Sequence, residues 1–344
     1  MPENWDEFVP KIAIVGAGGA GSNLVSRIYS TGIKSATTIA VNTDVNHLSI
    51  VKAHKKLLIG RSITKGMGAG GYPEIGAKAA DASKDDIRAA ISGYNMVFIS
   101  AGMGGGTGGG SAKIIADIAK EEGALTVAFV TYPFSLERSR KNKADWGIAE
   151  LTKSADTTIV IENDKILKYA PNLPMDKAFE LIDSIACNAV KGISDTIMMP
   201  SLINLDFADV RAVLGNGGTA VINVGNGSGP DKVEKAIKST IAHPLLDVNI
   251  EGARHALVHV SGGGGLTIEE ATRIGKGVTE GMADDANVIF GSRLDDNMRD
   301  QIQVMSIIAG VKPKIMNASL RKEEIQIAAP SSIADSDIIS DLLS

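Results

Sequence analysis

The residues best suited to chemistry stand in one short run, Gly104-Gly105-Gly106-Thr107-Gly108-Gly109-Gly110, in which six of seven positions are glycine. An apolar, β-branched stretch, Met96-Val-Phe-Ile-Ser100, precedes it, and Ser111-Ala-Lys-Ile-Ile-Ala-Asp-Ile-Ala-Lys follows with helical spacing. The pattern predicts a strand, a glycine loop and a helix. Lacking Cβ, such a loop lets its N–H groups close on another group. The helix behind it adds unpaired N–H donors and the positive end of its dipole. That combination holds phosphate. A flexible linker is the plain alternative, but a linker does not sit between a buried strand and an amphipathic helix.

Two more glycine loops accompany it. Gly16-Ala-Gly18-Gly19-Ala20-Gly21 matches G-x-G-x-x-G behind an apolar strand at 11–15, and Asp44 follows the second strand. Read alone, this is the signature of an NAD-dependent oxidoreductase. The third loop, Gly66-Met-Gly-Ala69-Gly70-Gly71, follows a strand at 56–59. Three loops at successive strand ends suit a polyphosphate better than one dinucleotide. No G-x-x-x-x-G-K-[ST] occurs, so no P-loop lysine is present. Backbone amides and a metal must then balance the phosphate charge, and Mg2+ is expected because it binds through phosphate oxygens and water.

The elements that must position these loops alternate. Strands are predicted at 11–15, 37–41, 56–59, 96–100, 125–130 and 157–161, with helices near 21–31 and 73–92. Alternation of this kind predicts a parallel sheet covered on both faces, with ligands beyond the carboxyl ends of its strands. Residues 176–197 form one long amphipathic helix, with Phe179, Ile182, Ala186, Ala189, Ile193 and Ile197 on a single face. It should be roughly 33 Å long. A loop, Asn204-Leu-Asp206-Phe-Ala-Asp209, follows. Strands at 219–224, 255–260, 287–290 and 303–308 and helices near 230–242 and 267–284 then predict a smaller second α/β domain. The expected divisions are an extension at 1–10, a nucleotide-binding domain at 11–175, the helix and start of the acidic loop at 176–204, the second domain at 205–312 and a flexible tail at 313–344.

Composition narrows the function. The 344 residues carry a net charge of −5, which argues against a general nucleic-acid binder. Cys187 is the single cysteine, so an internal disulfide framework is excluded and a reducing compartment fits. The acidic start, Met1-Pro-Glu-Asn-Trp-Asp-Glu7, is no signal peptide, and no apolar run is long enough to span a membrane. His255 and His259, four apart on a strand, stand roughly 13 Å apart and make no metal pair. The run Arg138-Ser-Arg-Lys141 reads as a basic surface patch.

Gly104–Gly110 resembles the signature loop of the tubulin/FtsZ family. Asn42-Thr-Asp44, Gly66-Met-Gly-Ala-Gly70, Pro133-Phe-Ser-Leu-Glu137, Asn163-Asp-Lys165 and Asn204-Leu-Asp-Phe-Ala-Asp-Val210 follow in FtsZ-like order and spacing across residues 10–312. Gly109, Ser22, Lys141 and Gly262–Gly265 depart from the usual residues and point to a divergent, archaeal-type member. The resemblance implies a GTPase that polymerises head to tail into filaments for cell division, in the cytoplasm at the division site. A polymerising paralogue with weak GTPase activity is the variant of that reading. It implies that Gly18, Gly19, Ala20, Gly21, Ser22 and Asn23 wrap the phosphates, with Asp44, Ala69, Gly70 and Gly71 beside them. Gly104, Gly105, Gly106, Thr107 and Gly108 hold the β and γ phosphates, Glu137 contacts the ribose, and Lys141 and Asn163 also meet nucleotide.

Phe179 and Asp183 are four apart and share a helix face. An aromatic ring stacks on a purine, and a carboxylate accepts from guanine N1–H and N2–H, a donor pair that adenine lacks. A core ring and a solvated acid are the plainer reading of the same two residues. Asp206 and Asp209 read either as a helix-capping pair or as functional acids. If Phe179 and Asp183 touch the base, the acidic loop lies roughly 25–30 Å away, beyond reach of its own phosphates. A neighbour in a head-to-tail stack is within reach, and such a contact does not close. The family gives these acids, with Asn204, the hydrolytic role. The tail ends in Asp335-Ser-Asp-Ile338-Ile339-Ser-Asp-Leu342-Leu343, which suits a peptide that folds onto a partner. Family tails bind membrane tethers or other division proteins.

Overall fold

The computed structural model describes residues 9–165, 172, 174–198, 203, 205–215, 218–241 and 250–311. Six strands, β1 (Ile12–Ala17), β2 (Thr37–Asn42), β3 (Lys55–Leu58), β4 (Met96–Gly102), β5 (Leu125–Tyr132) and β6 (Thr157–Glu162), lie parallel in the order β3-β2-β1-β4-β5-β6. Successive side chains of a strand point to opposite faces, and the two cores are sorted accordingly. Ile12, Ile14, Met96, Phe98, Val127 and Phe129 enter one core, and Ala13, Val15, Val97, Ile99, Ala128 and Val130 enter the other. The first core is closed by α1 (Gly18–Ser30), α2 (Val45–Ile50) and the long α8 (Met175–Met198). On the second lie α4 (Pro73–Asp81), α5 (Lys84–Ile91), α6 (Thr107–Glu121) and α7 (Arg138–Ser154); the short α3 (Arg61–Thr64) precedes α4.

The second half continues the sheet. β7 (Gly218–Ser228) joins β6 through two register pairs, Thr157 with Gly218 and Thr158 with Thr219. β10 (Gln301–Ala309) runs antiparallel between β7 and β8 (His255–Gly262), and β9 (Asn287–Leu294) lies parallel to β8. Helices α10 (Lys232–Ile241) and α11 (Ile268–Val278) cover this part. The long helix unites the halves. Its Ile182, Ala186, Val190 and Ile193 lie in one core with Phe129 and Ile159 of the parallel sheet and with Ile222, Met305 and Ile307 of the second. Gly192 makes the approach possible, since a Cβ there would meet Met305 Sδ at 2.6 Å.

Two expectations change. The helix expected over 73–92 is two helices, broken where buried Ser83 accepts from Gly60 N at 2.9 Å. The acidic segment is no loop: Asp206 is the N-cap of α9 (Phe207–Leu214), and Asp206 and Asp209 close a capping box by accepting each other's backbone N–H at 2.8 and 3.1 Å. An Asp at each position supplies the acceptors that a helix start lacks. Asn204, residues 1–8 and the tail fall outside the described residues.

Because Ile193 is 1 % exposed where both halves meet, Ile193→Ala should destabilise the protein by about 2–5 kcal/mol. Urea unfolding monitored by circular dichroism measures this, and a midpoint equal to the parent's would deny α8 its place in the shared core.

Candidate nucleotide site

β1 and β4 are neighbours, but their following helices leave to opposite faces. The starts of α1 and α6 therefore meet beyond the carboxyl ends of the two strands, where ligands of open α/β sheets bind. A cavity of about 310 Å³ opens there. Gly19 and Ala20 line it from α1, and Gly105, Gly106, Thr107 and Gly108 from the central loop and α6. Neither helix has a side-chain cap or an acid in its first turn. The first-turn N–H groups and both positive dipole ends thus face one cavity without a negative partner. That environment draws in an anion of several charges.

The loops are held by backbone contact. Gly18 has φ +71°, and a Cβ on it would stand 2.7 Å from Gly108 N; Gly104 has φ +88°, and its Cβ would stand 2.7 Å from Arg140 O. A side chain is excluded at both positions by conformation and by space. Thr107 is braced by a 2.6 Å hydrogen bond between its hydroxyl and that of Thr43. The third glycine loop supports the second from outside: a Cβ on Gly106 would meet Ala69 Cβ at 2.8 Å, and Lys143 Nζ donates to Gly71 O at 2.6 Å.

The far wall is polar, with one exposed ring. Thr131 of β5, Asn163 just after β6, and Glu137 and Arg140 at the start of α7 form it. Asn163 is 7 % exposed and its Oδ1 has no partner, so the cavity offers a buried acceptor that awaits a donor. Phe179 of α8 is 45 % exposed, an unusual setting for a large apolar ring, and lies edge-on to Phe134 with centroids 5.8 Å apart. One turn on, Asp183 faces the same cavity. Burial raises its carboxyl to about 6, against the lowering effect of Arg27, whose Nε stands 3.6 Å away, beyond hydrogen-bond length. Its acceptor oxygens are underused. A stacking ring, a carboxylate and two helix N-termini in one cavity fit a purine nucleotide from base to phosphates.

Of the residues singled out in the sequence, the cavity wall thus brings together Gly19, Ala20, Gly105, Gly106, Thr107, Gly108, Glu137, Asn163, Phe179 and Asp183. Gly18, Gly21, Ser22, Asn23, Ala69, Gly70, Gly71 and Gly104 are not on it. Asp44 accepts from Asn46 N and His47 N and caps α2. Both bonds fall on Oδ1, and Asp44 is not on the cavity wall. Lys141 turns away, donating to Ser135 Oγ at 3.0 Å over the Tyr132 ring. Arg140, read in the sequence only as part of the basic run, takes the wall position and pairs with Glu137 Oε2 at 2.6 Å. Its signal was the helix itself, since positions three apart share a face.

Asp206 and Asp209 lie at the other end of the molecule. Arg211 of α9 donates to Gly123 O at 3.2 Å, in the turn that leads into β5, whereas Thr131 at the other end of β5 lines the cavity. The length of β5 separates them, roughly 25 Å.

This fold and site define a GTPase domain of the tubulin type. Residues 11–171 match the family model for the Tubulin/FtsZ family, GTPase domain, and residues 218–312 match that for the FtsZ family, C-terminal domain. The cell division protein FtsZ 2 of Methanocaldococcus jannaschii is 50% identical over 325 residues, covering 93% of this chain and 86% of that protein. The FtsZ 2 of Halobacterium salinarum is 45% identical over 320 residues, covering 92% and 81%. A solved FtsZ dimer of M. jannaschii superimposes with a TM-score of 0.83 at 43% identity, over 90% of this chain and 92% of that one. The chain belongs to the FtsZ family and is a GTPase that binds guanine nucleotide.

Two glycines of the signature loop should respond in opposite ways. Gly104→Ala forces φ +88° on a side chain that meets Arg140, and should lower stability by about 1–3 kcal/mol. A Cβ on Gly109 finds nothing nearer than 3.9 Å, and Gly109→Ala should stabilise by about 0.5–1 kcal/mol. Thermal melting of the two variants checks this; equal shifts would contradict the loop geometry.

Proposed function

We propose that this protein hydrolyses GTP at the junction between two copies stacked head to tail, as a filament-forming protein of cell division acting in the cytoplasm at the division site. The observation that carries the proposal is the placement of the Asp206–Asp209 capping box at the opposite end of the sheet from the cavity. The acids face away from their own nucleotide and toward the open cavity of the next copy. Such a contact repeats without closing and builds a filament. There Asp209 and Asp206, with Asn204 two residues earlier in the sequence, orient and polarise the attacking water. Within each subunit the first turns of α1 and α6 hold the phosphates, Glu137 and Arg140 flank the ribose side, and Phe179 and Asp183 take the base. Mg2+ would supply charge neutralisation at the phosphates, a role for which it needs few protein ligands. The apolar and acidic tail, 313–344, binds membrane tethers or other division proteins.

Asp183 makes base recognition depend on pH. Its carboxylate accepts from the guanine, but the free protein keeps it protonated below about 6. In that range binding must release a proton, so GTP affinity should fall by about tenfold per pH unit as pH drops. For the unliganded fold the sign is reversed: a raised acid contributes stability at low pH that is lost as pH rises through about 6. Asp183→Asn should abolish the proton release, and Asp183→Ala should weaken GTP binding roughly ten- to a hundredfold while narrowing its preference over ATP. Calorimetric titration in buffers of different ionisation heat reads both effects; an unchanged GTP-to-ATP ratio would remove Asp183 from the base site.

The junction is tested by complementation. Asp209→Asn keeps an acceptor for the capping box while removing the charge, so it should fold and bind GTP yet lose turnover by about 10²-fold or more. Gly19→Trp fills the cavity from a position where a Cβ meets nothing within 4 Å, and should lose GTP binding with its own acids intact. Mixing the two should restore part of the activity, with a rate that rises more steeply than protein concentration. No recovery on mixing, with a rate per subunit independent of concentration, would place hydrolysis within one chain.

A further inference from the structure

A chain of side-chain hydrogen bonds runs beside the nucleotide cavity, and a histidine stands in its middle. At the end of β2, Asn42 Oδ1 accepts from Thr43 N at 2.8 Å and from Asp44 N at 3.3 Å. Both donors belong to the backbone, so the amide of Asn42 has one orientation, with Nδ2 as its donor. That Nδ2 lies 3.3 Å from His47 Nδ1. A ring nitrogen that faces a donor accepts, which places the ring proton on Nε2. Nε2 donates to Asn23 Oδ1 at 3.1 Å. The amide of Asn23 is thereby fixed in turn: its oxygen is engaged, and its NH2 group is left to act. His47 is itself held, since its backbone N–H donates to Asp44 Oδ1 at 3.1 Å and the neighbouring Leu48 is buried in the core.

Asn23 follows Gly19 by four positions and Ala20 by three on α1, and both of these line the cavity. The three therefore share a helix face, and Asn23 is exposed on it. At its other end the chain reaches two glycine loops. Thr43, next to Asn42, shares a hydrogen bond with Thr107, and its carbonyl accepts from Gly68 N at 3.1 Å. An asparagine without such a partner turns either end of its amide to the ligand, and a carbonyl oxygen facing a phosphate is repelled where an N–H is attracted. We propose that His47 is a positioning residue for nucleotide binding: with its proton on Nε2 it holds Asn23 so that Nδ2 donates to an oxygen of the nucleotide, on a phosphate or a ribose hydroxyl. His47 acts through Asn23 and touches no part of the ligand. This rests on the reading that the phosphates lie at the first turns of α1 and α6.

The test combines ring NMR with binding on the full chain. Nitrogen-15 shifts of the parent with GDP bound should show His47 with its proton on Nε2. His47→Gln keeps a donor near the Nε2 position and should bind GDP within about threefold of the parent. The shorter His47→Asn does not reach Asn23 and should raise the Kd for GDP about tenfold, as should Asn23→Ala. With GTP, His47→Asn should lose kcat/KM mainly through KM, because the bond from Asn23 is made to substrate and transition state alike. Added to Asn23→Ala, it should cost nothing more, since the histidine acts only through that amide. 2′,3′-Dideoxy-GDP sorts the two acceptors: the penalty vanishes with it for a ribose hydroxyl and persists for a phosphate. The proposal is overturned by a ring proton on Nδ1, by a His47→Asn protein that binds GDP as tightly as the parent, or by a penalty that survives in the Asn23→Ala background. Should His47→Asn fail to fold, the parent's ring tautomer and the affinity of Asn23→Ala decide. GDP binding left unchanged by Gly19→Trp would instead refute the phosphate placement on which the proposal rests.

Discussion

The structure depends on one electrostatic arrangement: two helix N-termini aimed at one point with no acidic side chain between them. α1 and α6 leave neighbouring strands for opposite faces of the sheet, so their starts converge only at the exposed carboxyl edge. Ordinary helices satisfy their first N–H groups with a capping side chain, as α9 and α11 do here with Asp206 and Thr267. The two helices at the cavity forgo that cap. Glycine makes this geometry accessible at Gly18 and Gly104, where both φ and close backbone contact exclude a side chain. The unsatisfied donors converge on the cavity, and the parallel sheet is the rigid frame that keeps them together.

The long helix α8 links that site to everything else. Its first turns present Phe179 and Asp183 to the cavity, and its middle is buried in the core shared by both halves. Its last turns, with Lys191 and Asp195, wall a cavity against β8, β9 and β10. A helix is stiff along its axis, so an element of 24 residues, roughly 36 Å long, keeps these features at set distances. The separation between the nucleotide cavity and the acids of α9 follows from this rod and from the length of β5.

Asp206 and Asp209 combine a structural role with a place at the surface. Within the chain they cap α9 through reciprocal hydrogen bonds. Asp206 remains exposed and Asp209 half-buried, so carboxylate oxygens stay accessible from outside the subunit. A capping box thereby holds both side chains in one rotamer at the surface, which is the pre-organisation that a site completed by a second molecule needs. Family membership, the shared core and this surface pair are consistent with a subunit built to be used in series.

Much of this was legible in the sequence, because its signals are local. Continuous apolar runs set the six parallel strands, and the glycine loops between strand and helix patterns located the sheet edge where the cavity opens. The spacing of Phe179 and Asp183 placed a ring and a carboxylate on one helix face. Three-dimensional packing decided what local pattern leaves open. The break at Ser83 arises from a hydrogen bond to Gly60, distant in sequence. Arg140 rather than Lys141 faces the cavity because α7 begins at Arg138 and turns the two by about 100°. Asp44 is engaged by its own helix. The cavity that His259 and Arg293 line exists only where α8 crosses strands that begin more than 50 residues after it ends. By itself the sequence determined which segments form elements and which loops carry glycine, since dihedral preference and apolar periodicity act over a few residues. Which side chains share a cavity was decided by tertiary structure, since burial and unsatisfied hydrogen bonds belong to the assembled fold.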